Sequence, residues 1–322
     1  MDLRNINTAA LGKKIGTPVG RFLYNLFRYA LLIGVSYLAI FPVIKMLSAA
    51  LSEAESYYMG GADYIPSVPT FENFINSQQY FNFFRHAKVT LMITVPSTIL
   101  SVFVCSLIGY GLGRYKFKGR ALVYACVLFT IIMPIQTVQL PLIHYYRWFD
   151  IFGIGKLIGL FTGTDFTISI LNSLLRFYIP AALGVGLRAG IIIFLFQSFF
   201  AGMPKDLEEA AKIDGCSPFK IYWKVMIPNI IPVVVTVTLL SVIYYWNDSL
   251  ITDMAKLNVG PALMPSIETL VDLKIGAGFM TVMQRNVEYY SILITAVTPL
   301  ILVFCLGQKF FVECMDRSGS KG

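Results

Sequence analysis

Long apolar runs alternate with short polar segments along this chain of 322 residues. Each run reaches or approaches the roughly 20 apolar residues that a helix needs to cross about 30 Å of hydrocarbon. Because a helix satisfies its backbone hydrogen bonds internally, the predicted fold class is an all-α polytopic membrane protein. The six predicted transmembrane helices cover residues of about 29–47, 89–112, 121–143, 183–200, 230–246 and 289–311.

Composition supports this prediction. Hydrophobic residues make up 56% of the chain and charged residues only 14%, whereas charged residues are about 25% of an ordinary soluble domain. The net charge of +8 could indicate nucleic-acid binding, but the basic residues lie between the apolar runs and do not form a patch with interleaved aromatic residues. No nucleic acid is expected as a partner.

The basic residues also predict the orientation. Most lysines and arginines outside the spans lie in the terminal segments and in the loops after the second and fourth spans. Loops rich in lysine and arginine stay on the cytoplasmic side. We therefore expect an N-terminal cytoplasmic segment over 1–28, a transmembrane domain over 29–311 with a cytoplasmic loop over 202–228, and a cytoplasmic tail over 312–322.

One outer segment, residues 144–181, is mildly apolar without being a span. Its stretch around 166–178 is interrupted by Asn172 and Arg176 and is too short to cross the bilayer. An interfacial helix on the outer side is the prediction, and a re-entrant segment is the alternative. Arg188 lies near the outer end of the fourth span, where a charge is tolerated if it snorkels to the interface.

The cytoplasmic loop contains a charged island between two apolar runs and predicts two short helices with a bend. Pro204 suits a first helical turn, and Gly215 is well placed to end the helix. Ser217 followed by Pro218 is typical of the start of a second helix.

Each of these helices has a distinct face. Leu207, Ala210 and Ala211 fall on one side of the first helix, where two small side chains allow a partner to approach closely. Helical spacing places three side chains on one face of the second helix: Phe219, Tyr222 and Met226. The alternative is an amphipathic loop that lies on lipid headgroups.

The loop also carries a long, specific spacing: Glu-Ala-Ala, three residues, Gly, nine residues, an aliphatic residue, one residue and Ile-Pro. The residues are Glu209, Ala210, Ala211, Gly215, Val225, Ile227 and Pro228. This pattern resembles the EAA loop of ABC importer permeases, the membrane subunits that work with a separate ATPase. Asp214 before Gly215, and Trp246-Asn247-Asp248 downstream, are similar to the carbohydrate branch related to the maltose permeases.

The resemblance implies a type I ABC importer permease fold in a bacterial inner (plasma) membrane. The chain would form half of the path for a sugar or oligosaccharide. Its implied partners are the lipid bilayer, a second homologous permease subunit, two ATP-binding subunits at the cytoplasmic face and an extracytoplasmic solute-binding protein. The residues implied in coupling to the ATPase are Glu209, Ala210, Ala211, Asp214, Gly215 and Pro228.

The sequence shows no motif or spacing typical of an enzyme. It has no phosphate-binding Gly-rich loop with Lys-Ser/Thr, so ATP and Mg²⁺ are expected on a partner subunit. Its two histidines, His86 and His144, have no spacing typical of a metal site or of a catalytic triad, so no catalytic residue, metal or cofactor is expected in this chain. The cysteines are odd in number and scattered, and we expect free thiols at Cys105, Cys126, Cys216, Cys305 and Cys314.

Polar and aromatic residues inside the spans are candidates for the substrate path. They are Gln136, Thr137, Tyr244, Tyr245, Trp246 and Asn247. Tyrosine and tryptophan near a span end are also typical of the aromatic belt, and a glutamine within a span can bond a neighbouring helix. The same machinery could carry a polyamine, phosphate or peptide, and a membrane scaffold without a path is the alternative from another class.

Overall fold

The computed structural model describes residues 18–59, 64–150, 153–163, 167–267, 269 and 282–319. Within them the regular secondary structure is helical, apart from two isolated antiparallel bridges, Ser52 with Pro69 and Phe149 with Ile168. The chain divides into a smaller unit, residues 1–77 with 280–294, and a larger unit, residues 78–279 with 295–322.

The helices follow one another with short connections. In chain order they are α1 Pro18–Ala50, α2 Ala54–Tyr58, α3 Glu72–Tyr80, α4 Phe83–Arg114, α5 Arg120–Ile132, α6 Ile135–Arg147, α7 Ile154–Thr162, α8 Leu175–Ala182, α9 Ala189–Gly202, α10 Asp206–Ile213, α11 Pro218–Ile221, α12 Ile227–Asn229, α13 Ile231–Trp246 and α14 Val282–Gly319. A turn of π-helix, Tyr222–Met226, joins α11 to α12, and a 3₁₀ turn, Thr252–Met254, follows α13.

Three of these helices are long and apolar enough to cross a membrane by themselves: α1, α4 and the part of α14 from Gln284 to Val312. Three bent pairs also pass the same test, with bends of 105° between α5 and α6, 74° between α9 and α10, and 82° between the stretch Pro218–Asn229 and α13. Counting each bent pair as one span gives up to six spans, the number that the sequence predicts.

The structure differs from the sequence prediction inside the third and fourth spans. The predicted helix over 121–143 is two helices, because Pro134 lacks the backbone N–H that would continue the helix across Ile132 to Ile135. The fourth span is predicted from residue 183, but α9 begins only at Ala189. The intervening turn contains Gly184 and Arg188, which both have positive φ angles, 73° and 56°.

In the smaller unit, the end of α1 is tied to α3 and α14 by polar side chains. The Asn73 side chain donates to Ala50 O at 2.9 Å and to Ser52 O at 2.7 Å. The Ser291 hydroxyl donates to Asn73 O at 3.1 Å. Asn73 therefore satisfies backbone carbonyls that would otherwise be buried without a donor.

The main core of the larger unit lies where α4, α9, α13 and the segment from α10 to α12 meet. It contains Cys105, Ile192, Phe196, Phe200 and Tyr222, all 0–2% exposed. α4 and α9 approach so closely that a Cβ atom added to Gly109 would lie 2.5 Å from Phe196 Cβ. Glycine at this position permits the contact. The same core includes Ala211 and so holds α10 in place.

Candidate functional site

The segment from α10 to α12, residues 206–229, is named the coupling segment here, and its two arms are α10 and the part from α11 to α12. The first arm begins at Asp206 after an N-cap at Lys205, so Pro204 lies just before the helical turn in which the sequence prediction placed it. α10 ends at a Schellman motif, in which Cys216 N–H donates to Ala211 O and Gly215 N–H donates to Lys212 O, both at 3.0 Å. The φ angle of Gly215 is +72°, a conformation that glycine adopts without strain. The bend between the arms is therefore encoded locally.

The second arm starts with the predicted cap. Ser217 Oγ accepts from Lys220 N–H at 3.4 Å, and Pro218 occupies the first helical turn. Tyr222 and Met226 then face the core, as the spacing predicts, whereas Phe219 is 64% exposed and does not share their surroundings. Pro228 is exposed in α12, just before the 82° bend into α13.

The predicted coupling residues of α10 divide into an inner and an outer set. Ala211 is 7% exposed and packs in the core of the chain itself, contrary to the prediction that both alanines face a partner. Glu209, Ala210, Asp214 and Gly215 are exposed.

The outer face of α10 also carries apolar side chains. Leu207 is 37% exposed and Ile213 is 86% exposed, and both are three residues from Ala210. Residues three apart lie on one face of a helix. Leu207, Ala210 and Ile213 therefore form an apolar strip, named the outer strip here, with Glu209 and Asp214 beside it.

The inner face of α10 is fixed by a buried carboxylate that sequence reasoning missed. Glu208 Oε1 lies 2.9 Å from Arg114 Nε and accepts from the Tyr110 hydroxyl at 3.1 Å. The side chains of Arg114 and Glu208 are 5% and 12% exposed. Arg114 Nη1 also donates to Met203 O at 2.8 Å and to Phe200 O at 3.3 Å. Arg114, Glu208 and Tyr110 are named the Arg114 cluster.

A second contact fixes the other arm to the same helix. The hydroxyl oxygens of Ser106 and Tyr222 lie 2.5 Å apart and share a hydrogen bond. The Tyr222 ring also lies 5.3 Å from that of Tyr110. Ser106, Tyr110 and Arg114 are spaced four residues apart in α4 and form one polar stripe. Both arms of the coupling segment therefore rest on this stripe.

The comparison with known protein families decides what kind of protein carries this segment. The family described as "Binding-protein-dependent transport system inner membrane component" matches residues 105–316, which include the whole coupling segment. The chain belongs to this family. It is therefore a permease-type membrane protein of the inner membrane, as the sequence pattern indicates.

Individual relatives agree with this assignment. This inner membrane component is 27% identical to the arabinooligosaccharides transport system permease protein AraQ of Bacillus subtilis, over 89% of this chain and 92% of the relative. It is 28% identical to the alpha-glucoside transport system permease protein AglG of Rhizobium meliloti, over 72% of this chain and 55% of the relative. A solved bacterial ABC transporter involved in the import of the polysaccharide alginate shares the fold, with a TM-score of 0.67, 21% identity and coverage of 92% of this chain and 98% of that one.

The predicted path residues of this inner membrane component do not come together as one set. Gln136 and Thr137 are exposed in the first turn of α6, and Thr137 Oγ1 donates to Pro134 O at 2.7 Å. Trp246 is buried and donates from Nε1 to Ala296 O at 3.1 Å. Tyr244 is half-buried, and the exposed Asn247 side chain donates to Ile243 O.

Tyr245, one of the predicted path residues, lies at a cavity. It lines a space of about 520 Å³ together with Arg176, Tyr146 and residues of α5, α6 and α9. Its ring is 3% exposed. The cavity walls are mainly apolar, and the tyrosine and arginine side chains supply polar groups.

The outer segment differs from the helix predicted around 166–178, because α8 begins only at Leu175 and the described residues before it form turns and a bridge around Arg176. The Arg176 side chain is 0% exposed and donates to the carbonyls of Leu171, Thr252 and Ala255, the last two at 2.9 Å. Asn172 Nδ2 donates to Lys256 O at 2.9 Å. Residues 171–176 are thus bonded to residues 252–256. Arg176 and its three carbonyl partners are named the Arg176 cluster.

Burial shifts the pKa values of two charged side chains at the Arg176 cluster, Arg176 and Asp248. Burial lowers the pKa of Arg176 to about 10, an effect that nearby Asp248 opposes, and the side chain stays charged at neutral pH. Burial raises the pKa of Asp248, whereas hydrogen bonds from Thr252 and the attraction of Arg176 lower it. Asp248 Oδ2 accepts from Thr252 N–H at 3.0 Å and from Thr252 Oγ1 at 2.9 Å. Among the described residues, no group of three His, Cys, Asp or Glu side chains is placed to hold a metal ion.

Proposed function

We propose that this chain is one membrane half of an ATP-driven importer for a sugar or oligosaccharide, and that its coupling segment binds an ATPase subunit. The second half would be a related permease subunit. A solute-binding protein outside the membrane would deliver the sugar. ATP and Mg²⁺ would bind to two partner ATPase subunits, and this chain would contribute no catalytic group.

The observation that carries the proposal is the outer strip on α10. Apolar side chains that are exposed together, with carboxylates beside them, are typical of a protein contact. Lysine and arginine bias predicts that this surface faces the cytoplasm. The Arg114 cluster fixes the opposite face of α10 to α4, so the helix that carries the outer strip is held in place by contacts within the chain.

Glu209, Ala210, Asp214 and Gly215 have the exposure that the proposal requires. Glu209 would meet a polar or basic rim of the ATPase, and Ala210 would let the two surfaces approach closely. Gly215 and Pro228 would act through the backbone, by ending α10 and by turning the chain toward α13. Ala211 would help to pack α10 against the core, because it is buried within the chain.

The class of substrate rests on the relatives. Their printed names include arabinooligosaccharides, alpha-glucosides and starch degradation products. Tyr244 and Asn247, which keep exposed surface at the end of α13, would be the side chains to contact the sugar, with Gln136 and Thr137 on α6. Tyr245 would act from the wall of the cavity.

The test is to purify the chain with its native partners, reconstitute the complex in lipid, and measure ATP hydrolysis with a panel of oligosaccharide-loaded binding proteins. We expect stimulation by one class of sugar. Ala210→Arg should abolish copurification of the ATPase because it places a long charged side chain on the outer strip. Lys118→Ala, in the exposed connection between α4 and α5, is the control and should retain the ATPase.

Two results would contradict the proposal in different ways. If the unmodified chain copurifies with no ATPase, the importer assignment fails. If the ATPase copurifies but no sugar stimulates it, the importer machinery stands and the sugar assignment fails. Ala211→Arg would be a poor substitute for Ala210→Arg, because a charge at this buried position tests folding and not binding.

A further inference from the structure

The guanidinium of Arg114 joins three elements of the larger unit. It is the last residue of α4, its Nε bonds Glu208 of α10, and its Nη1 bonds the carbonyls of Phe200 and Met203 at the end of α9. Nη2 lies 3.4 Å from Pro204 O in the connection between α9 and α10. A planar guanidinium with several donors suits such a junction better than a flexible ammonium group.

We propose that Arg114 and Glu208 are positioning residues that pass the movement of α10 to α4 during transport. The proposal rests on the proposed function, in which α10 binds the ATPase. A displacement of α10 can move a transmembrane helix only if the two are joined. Arg114 and Glu208 supply that joint at a buried contact with a separation of 2.9 Å.

Geometry favours α4 as the helix that receives the movement. Its polar stripe, Ser106, Tyr110 and Arg114, bonds both arms of the coupling segment. Toward its other end, α4 contributes Val89 and Ile93 to the buried group that contains Tyr245. Thr90 Oγ1 of α4 also accepts from Leu263 N–H at 2.8 Å. One helix therefore contacts the coupling segment at one end and the outer loops at the other.

Burial makes this joint stiff. Charges that are shielded from water attract more strongly than surface charges, and a charge-assisted hydrogen bond fixes both distance and direction. Exposed carboxylates, such as Glu72 of α3, lack this shielding. A change of charge at Glu208 should consequently affect transport far more than the same change at Glu72.

The first experiment uses the complete reconstituted transporter and compares Glu208→Gln, Arg114→Lys and Glu72→Gln. Glutamine keeps the size of Glu208 but loses the charge, and lysine keeps the charge of Arg114 but loses the planar fork. We expect the sugar transported per ATP hydrolysed to fall at least tenfold in the first two variants, with the ATPase still copurified. Glu72→Gln, the matched control, makes the same exchange at an exposed carboxylate outside the coupling segment and should transport like the unmodified chain.

A second measurement separates a joint that transmits movement from a contact that only supports folding. In a chain whose own five cysteines are replaced, Arg114→Cys combined with Glu208→Cys removes the ion pair and allows a cleavable bifunctional thiol reagent to join α4 and α10. We expect cross-linking to restore most of the transport per ATP, and reduction of the cross-link to abolish it again.

The outcomes are distinct. Normal transport per ATP in Glu208→Gln and Arg114→Lys would overturn the proposal. So would a loss that the cross-link does not restore, or a loss of the ATPase from these variants, because the pair would then serve folding or binding only. Failure of the unmodified chain to retain an ATPase would instead be a failure of the proposed function.

Discussion

The Arg114 cluster and the Arg176 cluster are built around buried arginines that are held in different ways. Arg114 bonds a carboxylate on another helix, at 2.9 Å, as well as carbonyls at the end of α9. Arg176 donates to the carbonyls of Leu171, Thr252 and Ala255, which lie in the connections before α8 and after α13. One arginine joins side chain to side chain, and the other joins side chain to main chain.

The difference bears on what each cluster can do. Backbone carbonyls in a connection cannot be released from a buried donor without leaving several polar groups unpaired at once. An ion pair between two helices concentrates the contact in two side chains, and those helices can shift as bodies while the pair stays closed. The Arg176 cluster is therefore suited to hold the outer connections still, and the Arg114 cluster is suited to move with α10.

The largest expected effect comes from Arg176→Met, which should lower the free energy of unfolding by more than about 3 kcal/mol. Each buried carbonyl that loses its donor costs about 1–3 kcal/mol. The measurement is the yield of monodisperse protein and its thermal unfolding in detergent. Arg188→Met is the matched control, because its side chain is exposed, and its effect should stay within about 0.5 kcal/mol. Equal stability of the two variants would refute the static role of the Arg176 cluster.

Glu208→Ala should have a smaller effect on stability, about 2–3 kcal/mol. Removing one partner of a buried ion pair commonly costs more, about 3–5 kcal/mol, but Arg114 keeps the carbonyls of Met203 and Phe200 as acceptors. The same thermal unfolding assay measures it, with Glu209→Ala as the exposed neighbour. A loss as large as that of Arg176→Met would mean that both clusters are static supports and would remove the contrast between them.

Much of the coupling segment is predictable from sequence because its signals are local. Pro218, Ser217 and Gly215 fix where the arms begin and end, and their preferred backbone angles need no tertiary contact. The spacing from Glu209 to Pro228 is long enough to indicate the family by itself, and the family comparison confirms it. Six apolar runs likewise predict the fold class, because burial in lipid leaves helices as the main option.

The Arg114 cluster was missed because its contact is long-range. Arg114 and Glu208 lie 94 residues apart in sequence, and no local pattern pairs them. A usable signal was present: Glu208 and Ala211 are three residues apart and share the inner face of α10, and Ser106, Tyr110 and Arg114 recur every four residues in α4. Polar residues at helical spacing within an otherwise apolar span indicate a face turned toward protein.

Arg176 was misread for a related reason. A charged residue in a mildly apolar stretch is typical of an interfacial helix, and the sequence alone does not reveal that three carbonyls converge on one guanidinium. The carbonyls of Thr252 and Ala255 come from a distant connection. Their convergence depends on tertiary structure, unlike the break between α5 and α6, which has a local cause in Pro134.

Gly109→Ala would sharpen the comparison of the two arginine clusters, because it loosens the packing of α4 against α9 without altering either arginine. The new Cβ would lie 2.5 Å from Phe196 Cβ and 3.0 Å from Gln197 N, so α4 and α9 must separate. Overpacking of this kind should cost about 1–2 kcal/mol in thermal unfolding. Gly111→Ala is the matched control: no heavy atom outside its own helix lies within 4 Å of the new Cβ, and alanine favours the helix. It should be neutral or slightly stabilising.

Gly215→Ala should have the smallest effect on stability, about 1 kcal/mol. Its Cβ would meet nothing within 4 Å, so the cost comes from an alanine held at a φ of +72°. Gly215→Asn should cost less, because asparagine tolerates this conformation better. The strain would fray the last turn of α10, which is C-terminal to Glu208 and is not part of the Arg114 cluster. Transport per ATP should therefore fall more than thermal stability does. If transport and stability fell in proportion, the end of α10 would belong with the static parts of the molecule.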